Sequence, residues 1–561
     1  MKTKTLFLSA LAVLTLAACQ KDNDGMLSLT IEGMGGDSKM AVDGNVSYWA
    51  TGDQVNINGT TAEVTISTNG NSATTNVSVA SADAFYGVYP AGIYSGNTGA
   101  NYTLNLPATY TYATTTLHGN TYQNLQGPMV GYTTNSNMQF KHVTAAINVQ
   151  VKNDFGIDVR VTDITVSSNK YKLNGSVDVT IGVSAPTVIP VVAEGDGNAA
   201  LRQVQMTFAD AQLIVPCGGS AVVQVPVLPV ANDNRFTISV TVQNKDDAEM
   251  TYTFTKTQAG SSSDGYALGR AELGYAPAKF GGVFSVAANK QVRFAPGNLQ
   301  YQASTNTWRF AKHQYDYVGN NAGNTTSVTD RETQSAWIDL FGWGTSGWDN
   351  GNAKYQPWCA NMTSYSSNEY GPKSGESFYD LSGDYANSDW GIYNSISNGG
   401  AVAGRWYTLT NTEWSYLTNY SRAASNVVNG TNRAKYTYAT IGTTHGIIFF
   451  PDEFEVPTFI GNSSWGTVNS SSAWTTTIES VDWNLLEVAG CIFLPAAGSR
   501  SATTGQNPLY SNENSYGNYW SSVQYTNSNA YYMRFYSSNG FTAKDASKYQ
   551  GYSVRLVRDV Q

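Results

Sequence analysis

The sequence predicts a mainly β chain exposed outside the cytoplasm, and three observations lead there. First, apolar and polar residues alternate in short runs: Leu27-Ser28-Leu29-Thr30-Ile31, Val55-Asn56-Ile57, the apolar series Ala145, Ile147, Val149, Val151, and Phe236, Ile238, Val240, Val242. A period of two marks half-buried strands. Second, Gly, Asn and Ser turns separate these runs, and helix-length periodicity is absent over residues 26–278. Third, charged residues make up only 13 %, while Gly (53) and Tyr (36) are abundant. That charge content is about half the usual share. Hydrophobic residues at 41 % suffice to bury cores, which excludes wholesale disorder. The 32 basic and 41 acidic residues leave a formal charge of −9. With no Lys/Arg cluster, nucleic-acid binding is excluded, because phosphate recognition needs concentrated positive charge.

The chain opens with Lys2 and Lys4, then an apolar stretch from Leu6 to Leu16 that is too short to span a bilayer. It ends Leu16-Ala17-Ala18-Cys19. Small residues before a cysteine form a lipobox, in which the thiol accepts diacylglycerol after cleavage. Residues 1–19 are therefore read as a lipoprotein signal peptide, with Cys19 as the lipidated residue. Acidic Asp22 and Asp24 just beyond it resemble the signal that sends some bacterial lipoproteins to the outer face of the outer membrane. No other stretch has membrane-spanning length, so Cys19→Ser is expected to release the protein into the soluble fraction. Quantitative sedimentation of that variant with membranes would contradict the anchor.

Pro190 and Pro226 lie within the apolar blocks Val188–Val192 and Val222–Val227. Proline lacks the N–H donor, so these blocks suit strand ends and edges. His142 alternates with apolar neighbours and reads as a structural strand histidine. None of the four histidines has metal-ligand spacing.

The pattern up to residue 278 resembles the fimbrillins of type V pili. The resemblance rests on Lys39–Asp43, on Val46–Ile57 with its Trp49 and Gly52-Asp53 turn, and on Tyr86-Gly87-Val88-Tyr89-Pro90. It continues in Leu106–Thr109, Gly127–Val130, Phe140–Val143, Tyr171–Val177 and Arg235–Val240. It implies two tandem transthyretin-like β-sandwiches, over residues 20–145 and 146–278. It also implies polymerisation by strand donation, in which an Arg-specific protease removes an N-terminal strand and a neighbouring pilus subunit's strand fills the groove. Here the first arginine is Arg160, so Arg-directed cleavage at the usual place has no target.

Residues 279–561 differ: Trp and Tyr become dense and short helices mix with strands. Thr410-Asn411-Thr412-Glu413 fits a capping box, placing Trp414 and Leu417 on one face. Ala336–Phe341 and Val481–Leu486 read as further short helices, and Gly446–Asp452 and Gly490–Gly498 as buried strands. Trp308–Ala311, Gly404–Leu409, Gly517–Ser522, Tyr531–Phe535 and Gly551–Arg558 resemble the α+β C-type-lectin-like domains of bacterial surface proteins, which are related to formylglycine-generating enzymes. The resemblance implies a recognition module, and the Ser261–Gly265 loop with the change in composition predicts that 279–561 folds alone on its own core.

The residues favour binding over catalysis. Cys217, Cys359 and Cys491 are isolated; Cys359 and Cys491 both lie in the C-terminal region, and whether they bridge is not decided by sequence. They do not sit beside the Trp520 and Arg555 motifs, as thiol chemistry on that fold would require. Asp380, Asp384, Asp389, Asp452, Glu453 and Glu455 give no recognisable carboxylate pair. Asp380–Asp384 offers hard oxygens of the kind calcium takes, but no EF-hand loop. Candidate ligand-binding residues are Trp343, Trp348, Tyr365, Trp390, Trp465, Asp384 and Asp389, with Trp358 in a similar context. They sit among Gly, Asn, Ser and Asp, where a flat ring can stack on a sugar while polar neighbours take its hydroxyls. The expectation is a surface lipoprotein acting as a tip or accessory pilus adhesin for glycan or protein ligands. The alternatives are a non-polymerising glycan-binding lipoprotein and an enzyme on the formylglycine-generating fold.

Overall fold

The computed structural model describes residues 26–32, 49, 52–66, 72–76, 82–98, 100–117, 120–124, 127–182, 184–193, 196–209, 213–258, 266–319, 324, 335–359, 369–370, 380–424, 426–457, 463–471, 473–501 and 509–560. The lipobox, the Lys39–Asp43 motif and Tyr365 lie outside them. The chain is mainly β, with three short α-helices among the described residues. It forms two compact units that do not follow the chain in order.

The first unit takes its described residues from Met1–Leu106, Gln126–Thr144 and Ser176–Ile189. Its larger sheet runs Thr60–Glu63, Gln54–Ile57, Phe85–Tyr89, Met129–Thr133, Asn137–His142, Met26–Ile31, Ser72–Asn76, Thr65–Ile66. A second sheet orders Thr187–Val188, Gly175–Thr180, Asn101–Leu106 and Tyr94–Thr98. The strand Asn101–Leu106 buries every second residue (Tyr102, Leu104, Leu106), as one face on a core requires. A hairpin from beyond residue 175 thus completes the first sandwich, which a boundary at 145/146 does not anticipate.

The second unit comprises Pro107–Leu125, Ala145–Gly175 and Pro190–Gln561. One sheet places Ala145–Asp154 between Ser220–Val227, antiparallel, and Leu273–Gly281, parallel. Pro226 falls on Ser220–Val227, an outer strand of that sheet, as its missing donor demands. The facing sheet is built on Val159–Ser168, Phe236–Asn244 and Asp247–Gln258. The expected boundary at 278/279 falls inside the strand Leu273–Gly281. Apolar packing runs on from Val149, Val240 and Phe280 to Phe341, Trp406 and Trp520 without a break.

Within residues 284–559 the sheets are small. Lys290–Phe294 pairs with Val557–Asp559, bringing both ends of this region together. The Thr410 capping box forms in full, with the Thr410 hydroxyl accepting from the Glu413 N–H, and Trp414 and Leu417 are buried. Ser480–Val488 is helical as expected. Ala336–Phe341 is not: Trp337–Ile338 is a strand paired with Tyr301 and Gln302. A short apolar run has no period long enough to separate helix from strand, and cross-strand packing decides it.

Candidate functional site

The first unit presents a groove already holding a strand. Met26–Ile31 lies parallel to Asn137–His142, with Ser28 opposite Asn137 and Ile31 opposite Phe140. Its other side is antiparallel to Ser72–Asn76. Leu27 and Leu29 point inward at 4 % and 0 % exposure, while Thr30 faces solvent, the alternation the sequence predicts. Ile31 packs on the same core, whose centre is Trp49, set edge-on to Tyr89 and Phe140 with centroids 5.3 Å away in each case. The strand is pinned at both ends. The Ser28 N–H donates to the Ser136 carbonyl (2.7 Å), and the Glu32 N–H to the Phe140 carbonyl (2.8 Å). The Glu32 carboxylate accepts the His142 N–H at 3.1 Å. His142 is buried on its strand, as its alternation predicts. Without Met26–Ile31, two strands would present unpaired backbone groups on either side of an apolar slot. Main-chain bonds would give such a slot affinity for another strand, and its side-chain pockets would give register.

The loop aromatics are not gathered into one site. Trp343 and Trp390 are both fully buried and offer no face to a ligand, correcting that expectation. The Trp343 indole N–H donates to the Ser521 carbonyl at 2.7 Å. Asp389 is buried as well: its carboxylate accepts from the N–H groups of Gly391 (3.0 Å) and Thr408 (2.8 Å), capping the short helix Trp390–Tyr393. Burial pushes its pKa up to about 6. Polar context misleads here because these Gly- and Asn-rich segments fold over core rather than away from it. Trp348 is half-buried, edge-on to Tyr385, the neighbour of exposed Asp384. Trp465 is half-buried against Phe450, and Trp358 against Tyr301. Among the described residues the exposed rings are ones that sequence reasoning missed: Tyr420 at 80 %, Tyr275 at 50 %, Tyr525 at 44 % and Tyr393 at 42 %. Tyr420, between Asn419 and Ser421, carried the same signal as the tryptophans.

The other candidates are dispersed. Asp380 accepts the Gln524 N–H, Asp452 pairs with Arg422, and Glu453 with Lys279. Among the described residues no three His, Cys, Asp or Glu side chains gather as metal ligands. Cys217 and Cys491 are free thiols, and burial raises the pKa of both.

Arg555, fully buried, donates to the Ala295 and Phe493 carbonyls and to Asn298 and Gln314. Gln314 in turn donates to Glu487, whose pKa burial raises to about 7. Lys548 is buried 4.8 Å from the Trp343 ring centroid and donates to Gln524 at 2.7 Å. Desolvation lowers its pKa to about 7. A base depressed on folding holds fewer protons than the unfolded chain between about pH 7 and 10.4, so stability rises across that window. Lys548→Met is therefore expected to stabilise the second unit by roughly 2 kcal/mol or more below pH 7. The gain should fade towards pH 10, as read by denaturant melts at several pH values; an equal gain at both ends would contradict the burial cost.

The family model of a domain of unknown function, DUF8237, matches residues 465–557. No curated protein matches the chain. Among solved structures, the chain is similar to a protein of Bacteroides ovatus provisionally named for cell adhesion: 14 % identity over 44 % of this chain and 87 % of that one, TM-score 0.23. A Bacteroides fragilis protein of the same provisional name gives 12 % identity over 44 % and 91 %, TM-score 0.25. A fimbrial protein of Bacteroides ovatus gives 10 % identity over 96 % and 100 %, TM-score 0.24. Scores in this range are below those of a shared fold.

Proposed function

We propose that this chain is a lipid-anchored surface adhesin of the fimbrillin type: two transthyretin-like sandwiches carrying residues 279–561 as a C-type-lectin-like recognition head. The observation that carries the reading is the strand Met26–Ile31, an N-terminal element inserted between two strands of one sheet with its apolar row inward. It follows the lipobox by only a few residues, so one segment links membrane anchor and groove. Replacing it by a partner's strand is β-strand addition. The paired ends of residues 284–559 suit a module presented on a stalk, where linked heads gain affinity through effective concentration. On this reading the C-terminal head blocks strand donation from that end, and the subunit sits at a fibre tip.

The missing arginine before Arg160 favours a second reading, a glycan-binding surface lipoprotein that keeps its own strand. Immunogold labelling of residues 279–561 decides between them. The adhesin reading expects label at fibre ends; label along the shaft removes the tip assignment, and label only on the cell surface leaves the second reading.

A further inference from the structure

Tyr420 is the most exposed aromatic ring among the described residues, at 80 %. It is set against two cations. The Arg433 guanidinium carbon lies 5.0 Å from its ring centroid and the Lys435 ammonium 5.9 Å. Arg433 is exposed, anchored by bonds from its guanidinium to the Tyr420 carbonyl (3.1 Å) and the Arg422 carbonyl (3.2 Å). Its backbone holds φ +53°, a strained value for a residue with a Cβ. Lys435 is only 5 % exposed, and its ammonium donates to the Arg433 carbonyl at 3.3 Å.

The charge balance around this cluster is incomplete. Arg422, fully buried, is matched by Asp452: its Nε donates to Oδ1 at 3.1 Å. The other oxygen, Oδ2, accepts from the Ser285 N–H and hydroxyl and from Gln291. Asp452 is thus fully engaged. Among the described residues no carboxylate pairs with Arg433 or Lys435. Desolvation, then the charges of Arg433 and Arg422, lower the Lys435 pKa. A buried ammonium flanked by like charges is costly, because buried charges are ordinarily paired.

We infer that Tyr420, Arg433 and Lys435 form a binding site for an anionic saccharide, the cations taking a carboxylate or sulfate while the open tyrosine ring stacks on the pyranose. Arg presents a planar fork suited to an oxyanion, and Lys a point charge beneath it. The aromatic ring supplies the apolar half of sugar recognition, and exposed Asn432 lies beside Arg433 for a hydroxyl. The inference rests on the reading of residues 279–561 as a recognition head, and names its ligand class.

The test is titration calorimetry of the full chain with trigalacturonate, 6-sulfolactose, lactose and inorganic sulfate, alongside a glycan array. The site predicts that the anionic sugars bind more tightly than lactose or free sulfate, and weaken as salt rises. Lys435→Met and Arg433→Gln should each weaken anionic binding on the order of tenfold, the scale of a charge-assisted hydrogen bond. Tyr420→Ala should weaken the sugars and leave any sulfate binding unchanged. Lys435→Met relieves a buried charge, so it keeps the fold while removing the ligand contact. Anionic binding undiminished in these variants would overturn the site, as would sulfate binding as tightly as the sugars. Neutral glycans binding without anionic ones would overturn the site and leave the head reading standing. A silent array would overturn both.

Discussion

Leu29→Asp is expected to unfold the larger sheet of the first unit around its N-terminal strand. Leu29 is wholly buried against the cluster that holds Trp49, Val55 and Phe140. The substitution removes a leucine from a packed core and asks a carboxylate to take its place. The first effect alone costs about 2–5 kcal/mol, and desolvation adds to it. Hydrogen exchange over residues 129–142 and 54–63 should accelerate by orders of magnitude. The second unit should keep its protection, because its strands belong to separate sheets. Thr30→Asp, on the outward row, should change stability by less than about 0.5 kcal/mol. Equal effects at positions 29 and 30 would show that the strand is not seated with Leu27 and Leu29 inward.

Breaking the Asp154–Arg293 pair should destabilise the whole second unit. Asp154 closes the strand Ala145–Asp154, and Arg293 lies on Lys290–Phe294, within the region read as a recognition head. The Arg293 Nη2 donates to Asp154 at 3.0 Å, with side-chain exposures of 6 % and 2 %. Asp154→Ala leaves a buried guanidinium uncompensated, at a cost of about 3–5 kcal/mol. Arg293→Met together with Asp154→Leu should recover much of that loss, since an apolar pair strands no charge. The pH dependence carries a sign. Burial pushes the Asp154 pKa up, but Arg293, Lys152 and Lys279 outweigh it and hold it below the usual carboxylate value. An acid depressed on folding stabilises above its unfolded pKa, near 3.9, and loses that contribution as pH falls through the folded value. The gap between wild type and Asp154→Ala should therefore narrow only in strong acid. Glu487 and Asp389, raised by burial to about 7 and 6, act in the opposite sense: their contribution falls as pH rises from about 4 towards 7.

The same contact bears on modularity. The change of composition near residue 280 predicts that 279–561 folds alone. In the structure, Leu273–Gly281 is a strand of the sheet holding Ala145–Asp154, and Gly156 approaches Trp406 so closely that a Cβ there would lie 2.5 Å from the ring. The structure therefore expects residues 145–175 and 190–560 to melt in one transition.

What was legible in the sequence was local. Period-two alternation located Leu27–Ile31, Val149 and Phe236–Val242, because one face of each strand is buried. The Thr410 capping box was readable because Thr410 and Glu413, three residues apart, satisfy each other's backbone N–H groups. Partition of the chain was not legible: Gly175–Thr180 pairs with Asn101–Leu106, while Thr109–Thr111 pairs with Gln203–Thr207 in the other unit. Nothing local in those segments specifies a partner some 70 or more residues away. The candidate site was half legible. Aromatics in Asn/Ser loops were the right signal, but it did not separate Tyr420, which is exposed, from Trp343 and Trp390, which the fold covers. Arg433 and Lys435 were invisible as a pair, since only the fold reveals that Lys435 is buried with no carboxylate partner among the described residues.

The central claim is that the first unit holds a strand groove able to accept a strand in trans. The direct measurement is complementation: the chain beginning at residue 33, mixed with a synthetic peptide of residues 26–32. The account predicts that truncation lowers the melting transition of the first unit. The peptide should restore it saturably, and a peptide carrying aspartate in place of Leu27 and Leu29 should not. A truncated chain that melts unchanged, or one that the native peptide does not stabilise, would contradict the account.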